Sequence, residues 1–144
     1  MTTIRDVIKG KGDQVWTVTP ESTVGAALAL LAERNLGCVL VTAEKNQIAG
    51  IFSERDFTRK MACERRLPGE ILVREFMTTK VYSVSPDDTI ESCMTTMTNR
   101  RFRHLPVMEG ERLVGIVSIG DVVKAALSDK ELLIEQLEGY IAHG

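Results

Sequence analysis

The chain repeats itself. Aligned without gaps, residues 15–42 ("VWTVTPESTVGAALALLAERNLGCVLVT") and 81–108 ("VYSVSPDDTIESCMTTMTNRRFRHLPVM") share Val15/Val81, Val18/Val84, Pro20/Pro86, Thr23/Thr89, Arg34/Arg100 and Val41/Val107. After one deletion, residues 46–61 lie over 111–126 and add Gly50/Gly115, Ile51/Ile116, Ser53/Ser118 and Asp56/Asp121. The lead-ins match in kind, "IRDVI" at 4–8 against "VREFM" at 73–77. A repeat of this length constrains the fold more than any local propensity, because both copies must form the same supersecondary unit.

Each copy reads as β-α-β-β-α. The β-prone segments "VWTV" and "VYSV" are closed off by the following prolines, Pro20 and Pro86. Thr23 and Thr89 stand as N-caps before helices whose apolar residues fall at helical spacing: Val24, Leu28 and Leu31 in one, Ile90, Met94 and Met97 in the other. The apolar strands "GCVLVT" and "HLPVM" follow, then short turns, then "IAGIFS" and "LVGIVS", and a last helix begins near Asp56 or Asp121. The expected class is α/β in the α+β sense. One unit is too small to bury both faces, so two are expected to press together.

"ACERRLPGEILV" at 62–73, with Pro68 and Gly69, reads as the linker. This sets a first repeat at 1–67, a second at 68–127 and a C-terminal helical tail at 128–144. In the tail, Ser128 and Glu131 have capping-box spacing, and Leu133, Leu137, Tyr140 and Ile141 share a face that suits packing or a dimer contact, although Gly139 weakens the helix.

The bulk numbers exclude several functions. With 18 basic against 20 acidic residues, net −2, no global field draws the chain to nucleic acid or anionic lipid. The first residues are polar, and no apolar run is long enough for a membrane span, so a cytoplasmic protein with no membrane partner is expected. Cys38, Cys63 and Cys93 lack the paired spacing of a disulfide framework or a zinc site, so no metal is expected.

The doubled order of a β-segment ending in Pro, a helix, a strand and then Gly-Ile-x-Ser-x-x-Asp resembles a tandem pair of CBS domains, a Bateman module named after cystathionine β-synthase, of the stand-alone bacterial type. The likeness covers residues 1–127, with "FSERD", "RFRHLPV" and "IVSIGDVV" its most specific stretches. It implies two units about a pseudo-twofold axis, with two clefts that accept adenosine-containing ligands: AMP, ADP, ATP, NAD(H) or S-adenosylmethionine. It also implies a homodimer of pairs and a regulatory, energy-sensing role in signal transduction, exerted on an unknown protein by conformational change rather than catalysis.

"GIFSERD" (50–56) and "GIVSIGD" (115–121) carry the chemistry. Ser53 with Asp56, and Ser118 with Asp121, have the spacing of capping boxes, and that alone accounts for them. The same groups suit a nucleotide: a carboxylate offers two acceptors to vicinal ribose hydroxyls, and a serine at a helix N-terminus meets a phosphate. Arg103 and His104 stand where the first repeat has Gly37 and Cys38, while Arg55 stands where the second has Gly120. By the resemblance, Arg103 and His104 serve the cleft of Ser118 and Asp121, and Arg55 that of Ser53 and Asp56. Unequal cations imply two non-equivalent sites, with His104 adding a mild pH dependence.

The resemblance also places Val18, Thr19, Thr23 and Leu36 by the second repeat's cleft and Val84, Ser85, Thr89 and Phe102 by the first's, where packing and capping explain them equally well. Trp16 and Tyr82 are expected to pack under the lead-ins. Arg100 and Arg101 are expected to end a helix in solvent. Three departures bear on the clefts: Leu40 against Pro106, Gly120, and the extra "GKG" at 10–12. The alternatives are an interaction module with degenerate clefts, nucleic-acid binding through Arg100, Arg101, Arg103 and Lys124, or a Cys38–His104 thiolate pair. The last lacks an orienting group, since the second histidine, His143, sits in the tail.

Overall fold

A computed structural model describes residues 2–11 and 14–143, with side chains as far as Ile141; Gly12 of the "GKG" segment and the side chain of His143 lie outside the described residues. The chain forms two compact units that do not follow the halves of the sequence. One is the continuous stretch Val15–Tyr82; the other joins the N-terminal segment to the stretch that begins at Ser83.

In the continuous unit, β1 (Thr17–Val18) runs parallel to β2 (Cys38–Thr42), and β2 runs antiparallel to β3 (Ile48–Ser53). Helix α2 (Val24–Arg34) starts where the Thr23 hydroxyl accepts a hydrogen bond from the Ala26 N–H, and ends where Asn35 turns left-handed at φ 54°. Its face of Val24, Ala27 and Leu31 is buried against Val39, Val41 and Phe52 of the sheet. The period of 3.6 thus meets the period of 2 across one core. Helix α3 (Glu54–Met61) leaves β3 directly, and the short α4 (Val73–Phe76) closes the core with Ile71, Val73 and Phe76.

The other unit repeats this plan. Helix α5 (Ile90–Arg100) is capped by Thr89 and ends at Arg101, left-handed at φ 59°. It buries Ile90, Cys93 and Met97, the counterparts of Val24, Ala27 and Leu31. The antiparallel pair β4 (His104–Glu109) and β5 (Arg112–Ser118) supplies Leu105, Val107 and Val117. Residues 81–84 are not a strand here, and only Val84 bridges, to Val107. The rung Thr17↔Leu40 of the first copy has Pro106 at its equivalent, which has no N–H to give, so the ladder shrinks to the single contact.

The lead-ins are exchanged. Helix α1 (Ile4–Lys11) docks on the second repeat, where the Ile4 N–H donates to the Asp88 carbonyl at 2.9 Å and the Arg5 N–H to that of Pro86 at 2.8 Å. The matching residues of the other lead-in dock on the first repeat: the Val73 N–H donates to Ser22 at 2.8 Å and the Arg74 N–H to Pro20 at 3.0 Å. Residues 2–11 therefore pack with the repeat that follows at 83, and residues 68–82 with the repeat that precedes them. Gly50 and Gly115 make room for these lead-ins. A Cβ on Gly50 would stand 2.7 Å from the Thr78 carbonyl oxygen, and one on Gly115 would stand 3.2 Å from the Ile8 side chain.

The tail is not a separate helix. Helix α6 (Ile119–His143) is one element of 25 residues, and Ser128 lies inside it instead of capping a new start. No residue between Asp121 and Glu138 is Gly or Pro, so nothing in that stretch breaks the helix. No helix is long and apolar enough to cross a membrane among the described residues.

Candidate functional site

In each unit a strand runs straight into a helix at a Ser-x-x-Asp, and the backbone at the junction is alike. The Glu54 N–H donates to the Gly37 carbonyl at 3.1 Å, and the Ile119 N–H to the Arg103 carbonyl at 2.8 Å. The strand register sets Cys38 opposite Ser53 and His104 opposite Ser118. The positions singled out in the two repeats are thereby brought together within their own units.

At α3 the capping box is complete. Asp56 donates its N–H to the Ser53 hydroxyl at 3.2 Å, and its Oδ2 accepts from both the Ser53 N–H and the Ser53 hydroxyl at 3.0 Å. Its other oxygen, Oδ1, accepts from the Thr78 hydroxyl at 3.0 Å. Both carboxylate oxygens are engaged within the unit. Arg55, the next residue back, is exposed.

At α6 the arrangement differs in one decisive group. Asp121 and Ser118 exchange the same backbone hydrogen bonds, at 2.9 and 3.0 Å. In place of a hydroxyl at Oδ1, the Lys11 ammonium reaches Oδ2 at 2.6 Å and also donates to the Ile116 carbonyl at 3.1 Å. Helix α1 continues past the point where α4 stops, which is how its last residue arrives at the carboxylate.

The electrostatics follow from that ammonium. Burial of Asp121 opposes its charge, but the Lys11 hydrogen bond and the Ser118 N–H outweigh it and hold the carboxyl below its usual range. Burial, with the Lys11 charge next, holds His104 below the ordinary imidazole range against the pull of Asp121. Lys11, His104, Ser118 and Asp121 thus form one cluster with a fixed cation, a neutral imidazole at pH 7 and a committed anion. It can hold an anionic or polyhydroxylated ligand.

The remaining expected residues divide between the units. In the first, Val18 and Leu36 are half-buried on the core, Cys38 is buried, and Gly37 is exposed. The Thr19 N–H donates to the Ser22 hydroxyl at 3.1 Å, and Thr23 caps α2. In the second, Val84 is buried, Phe102 is half-buried, and Arg103 is exposed. The Ser85 N–H donates to Asp88 at 2.8 Å, and Thr89 caps α5. Trp16 packs on the core with the Arg34 guanidinium 4.0 Å over its ring, and Lys80 stands 5.9 Å over Tyr82.

Sequence reasoning missed Lys11 and Thr78. The available signal was the lead-in match. It sets Met77 over Ile8, so both lead-ins should pass the same glycine, and the lysines of "KGK" lie within a turn of that point.

Comparison with known proteins agrees with this doubling. The CBS-domain family pattern matches residues 4–63 and again 73–128. A mitochondrial CBS domain-containing protein of Arabidopsis thaliana, CBSX3, is 36% identical over 151 residues, covering 99% of this chain and 73% of that protein. A CBS-domain containing protein from Agrobacterium tumefaciens has a crystal structure that superposes with a TM-score of 0.82 at 39% identity, over 87% of this chain and 99% of that one. A signal-transduction protein with CBS domains from Burkholderia ambifaria superposes with a TM-score of 0.83 at 40% identity, over 89% and 96%. The fold is shared with the CBS domain pair of protein MJ0100, solved with 5′-methylthioadenosine and S-adenosylmethionine, at a TM-score of 0.78 and 19% identity, over 90% and 98%.

Proposed function

The chain belongs to the CBS-domain family, with two repeats, and from that premise we propose that it is a regulatory module that binds adenosine-containing nucleotides at two unequal sites. The observation that carries this reading is the Ser118–Asp121 pair with Lys11 and His104 beside it. Ribose hydroxyls enter on Oδ1 of Asp121, with the carboxylate kept ionised by Lys11. The phosphate meets the Ser118 hydroxyl, the α6 N-terminus, the Lys11 and Arg103 cations and the neutral His104 imidazole. At Asp56 the Thr78 hydroxyl already occupies the corresponding oxygen, so a ribose has to displace it, and Arg55 is the cation at hand. The second repeat therefore holds the stronger site.

The adenosine ligands of the MJ0100 pair support the ligand class. The module signals by packing differently with and without ligand, which requires different affinity for the two states, and it self-associates as a homodimer. The saturated Asp56 favours a second reading for the first repeat alone, a capping box with no ligand.

Calorimetry and thermal shift with AMP, ADP, ATP, NAD(H), S-adenosylmethionine and GTP test this on protein freed of copurified ligand. A true ligand at a hundred times its Kd adds about 2.7 kcal/mol of stability. Asp121→Ala should abolish the tighter event and leave the weaker one. A panel with no response to any adenosine compound refutes the reading.

A further inference from the structure

Helix α6 has a second face. On one side Val122 is buried, and half-buried Asp129 accepts a hydrogen bond from the Thr2 hydroxyl at 2.8 Å, which fixes the helix to its unit. About a third of a turn away, Ile119, Val123, Leu127, Ile134, Leu137 and Ile141 are all exposed, from 39% at Val123 to 76% at Ile141. At 3.6 residues per turn these six fall within an arc of about 80°, in a stripe about 33 Å long. At on the order of 100 Å² each, with Leu133 and Tyr140 on the flank, they approach the roughly 800 Å² that one partner brings to a standard interface. A monomer seldom leaves that much contiguous apolar surface in water.

The ends of the stripe are self-complementary about Lys130. Reversed on itself, it sets Ile119 opposite Ile141 and Val123 opposite Leu137, with Leu127 meeting the flanking Leu133 and Ile134 meeting Ala126, an apolar match throughout as a twofold interface requires. The charges choose the orientation. Lys124, Glu131, Glu135 and Glu138 line the same flank, and none of them is in an ion pair among the described residues. In an antiparallel pair that flank meets its own copy, and Lys124 falls between Glu135 and Glu138 of the other chain, twice over. In a parallel pair it would face Ala126, Leu133 and Tyr140 instead. The two Lys130 stems are long enough to carry their ammonium groups out of the seam toward Glu131.

Building on the self-association in the reading above, we propose that two copies of this chain pair antiparallel through α6, with the twofold axis at Lys130. The seam is apolar and its rim is ionic, so high salt loosens it without abolishing it.

Light scattering and cysteine cross-linking test the proposal on the whole chain. The native protein should have twice the 16.0 kDa mass of one chain, and Leu137→Glu should be a monomer. Lys124→Glu should raise the dimer Kd at least tenfold, and Glu135→Lys with Glu138→Lys in the same chain should restore it. With the exposed Cys63 changed to Ser, Lys130→Cys should link to itself on mild oxidation. Ile119→Cys should link only when mixed with Ile141→Cys, and this readout stands even if Leu137→Glu fails to fold. A native monomer overturns both the seam and the homodimer. A dimer that survives Leu137→Glu with its fold intact, or that links Ile119 to Ile119, overturns the seam and leaves the homodimer standing. Neither outcome touches nucleotide binding, which is measured by calorimetry on the same preparations.

Discussion

Replacing Lys11 with Met keeps the length and apolar stem of the side chain and removes one charge from the Ser118–Asp121 cluster. Lys11 and Asp121 are 2.6 Å apart with side chains 40% and 25% exposed, so water screens part of their attraction. The pair falls at the upper end of the surface range, and its loss should cost about 1 kcal/mol at pH 7.5, or roughly 2–4 °C in Tm. The pH dependence is more diagnostic than the magnitude. Asp121 titrates in the folded state below its ordinary 3.8, so its contribution is present above that pH and lost as pH falls through the folded value. His104 titrates below its ordinary 6.5, partly because of Lys11, so the native protein loses stability as pH falls past 6.5, and the variant loses less. The deficit of Lys11→Met should therefore be largest above pH 7, shrink on passing 6.5 and shrink again below 4. Urea denaturation followed by circular dichroism at several pH values measures it, and NMR titration should show His104 in the variant moving up toward 6.5. A deficit that stays flat or grows in acid, or a His104 that does not move, refutes the assigned electrostatics.

Two further perturbations read the packing. Gly50→Ala drives a methyl to 2.7 Å from the Thr78 carbonyl, where backbone would have to shift, and should cost about 1–3 kcal/mol. Gly115→Ala meets side-chain atoms of Ile8 no nearer than 3.2 Å and no backbone, and should cost less, so a reversed order of Tm values would show that the lead-ins do not pass these glycines as described. Of the three thiols, exposed Cys63 should react with a maleimide in the native state. Buried Cys38 and Cys93 should react only on unfolding, and burial pushes Cys93 up to about 11; modification of Cys93 in native protein would contradict its place in the α5 core.

The repeat made the fold legible. Thr23 and Thr89 cap α2 and α5, the spaced apolar residues bury as one core per unit, and Ser53 with Asp56 forms the expected box. What escaped depended on contacts far apart in sequence. The exchange of lead-ins rests on backbone hydrogen bonds from Ile4 and Arg5 to carbonyls more than 80 residues away, which no local signal encodes. The missing strand at 81–84 required seeing Pro106 as an absent donor for a neighbour rather than as a change in cleft shape. Helix α6 runs on because Ser128 caps only if the chain before it leaves the helical conformation, and Asp121 to Leu127 give it no cause to. Lys11 went unread for the same reason as α1: its partners, Ile116 and Asp121, lie over a hundred residues downstream.

The exchanged lead-ins also impose an order on biosynthesis. Residues 15–82 contain every piece of their own core, so that unit can close while the ribosome is still making the rest. Helix α1 emerges before that unit and yet has nowhere to dock until Pro86, Asp88 and β5 have been translated. A helix made before either repeat is thus among the last to be placed, and Lys11 arrives with it. A nascent chain stalled before Ser118 would carry a finished first unit and a Lys11 with no Asp121 to meet, so the second repeat acquires its electrostatic character only once translation has passed both ends of the loop that α1 closes.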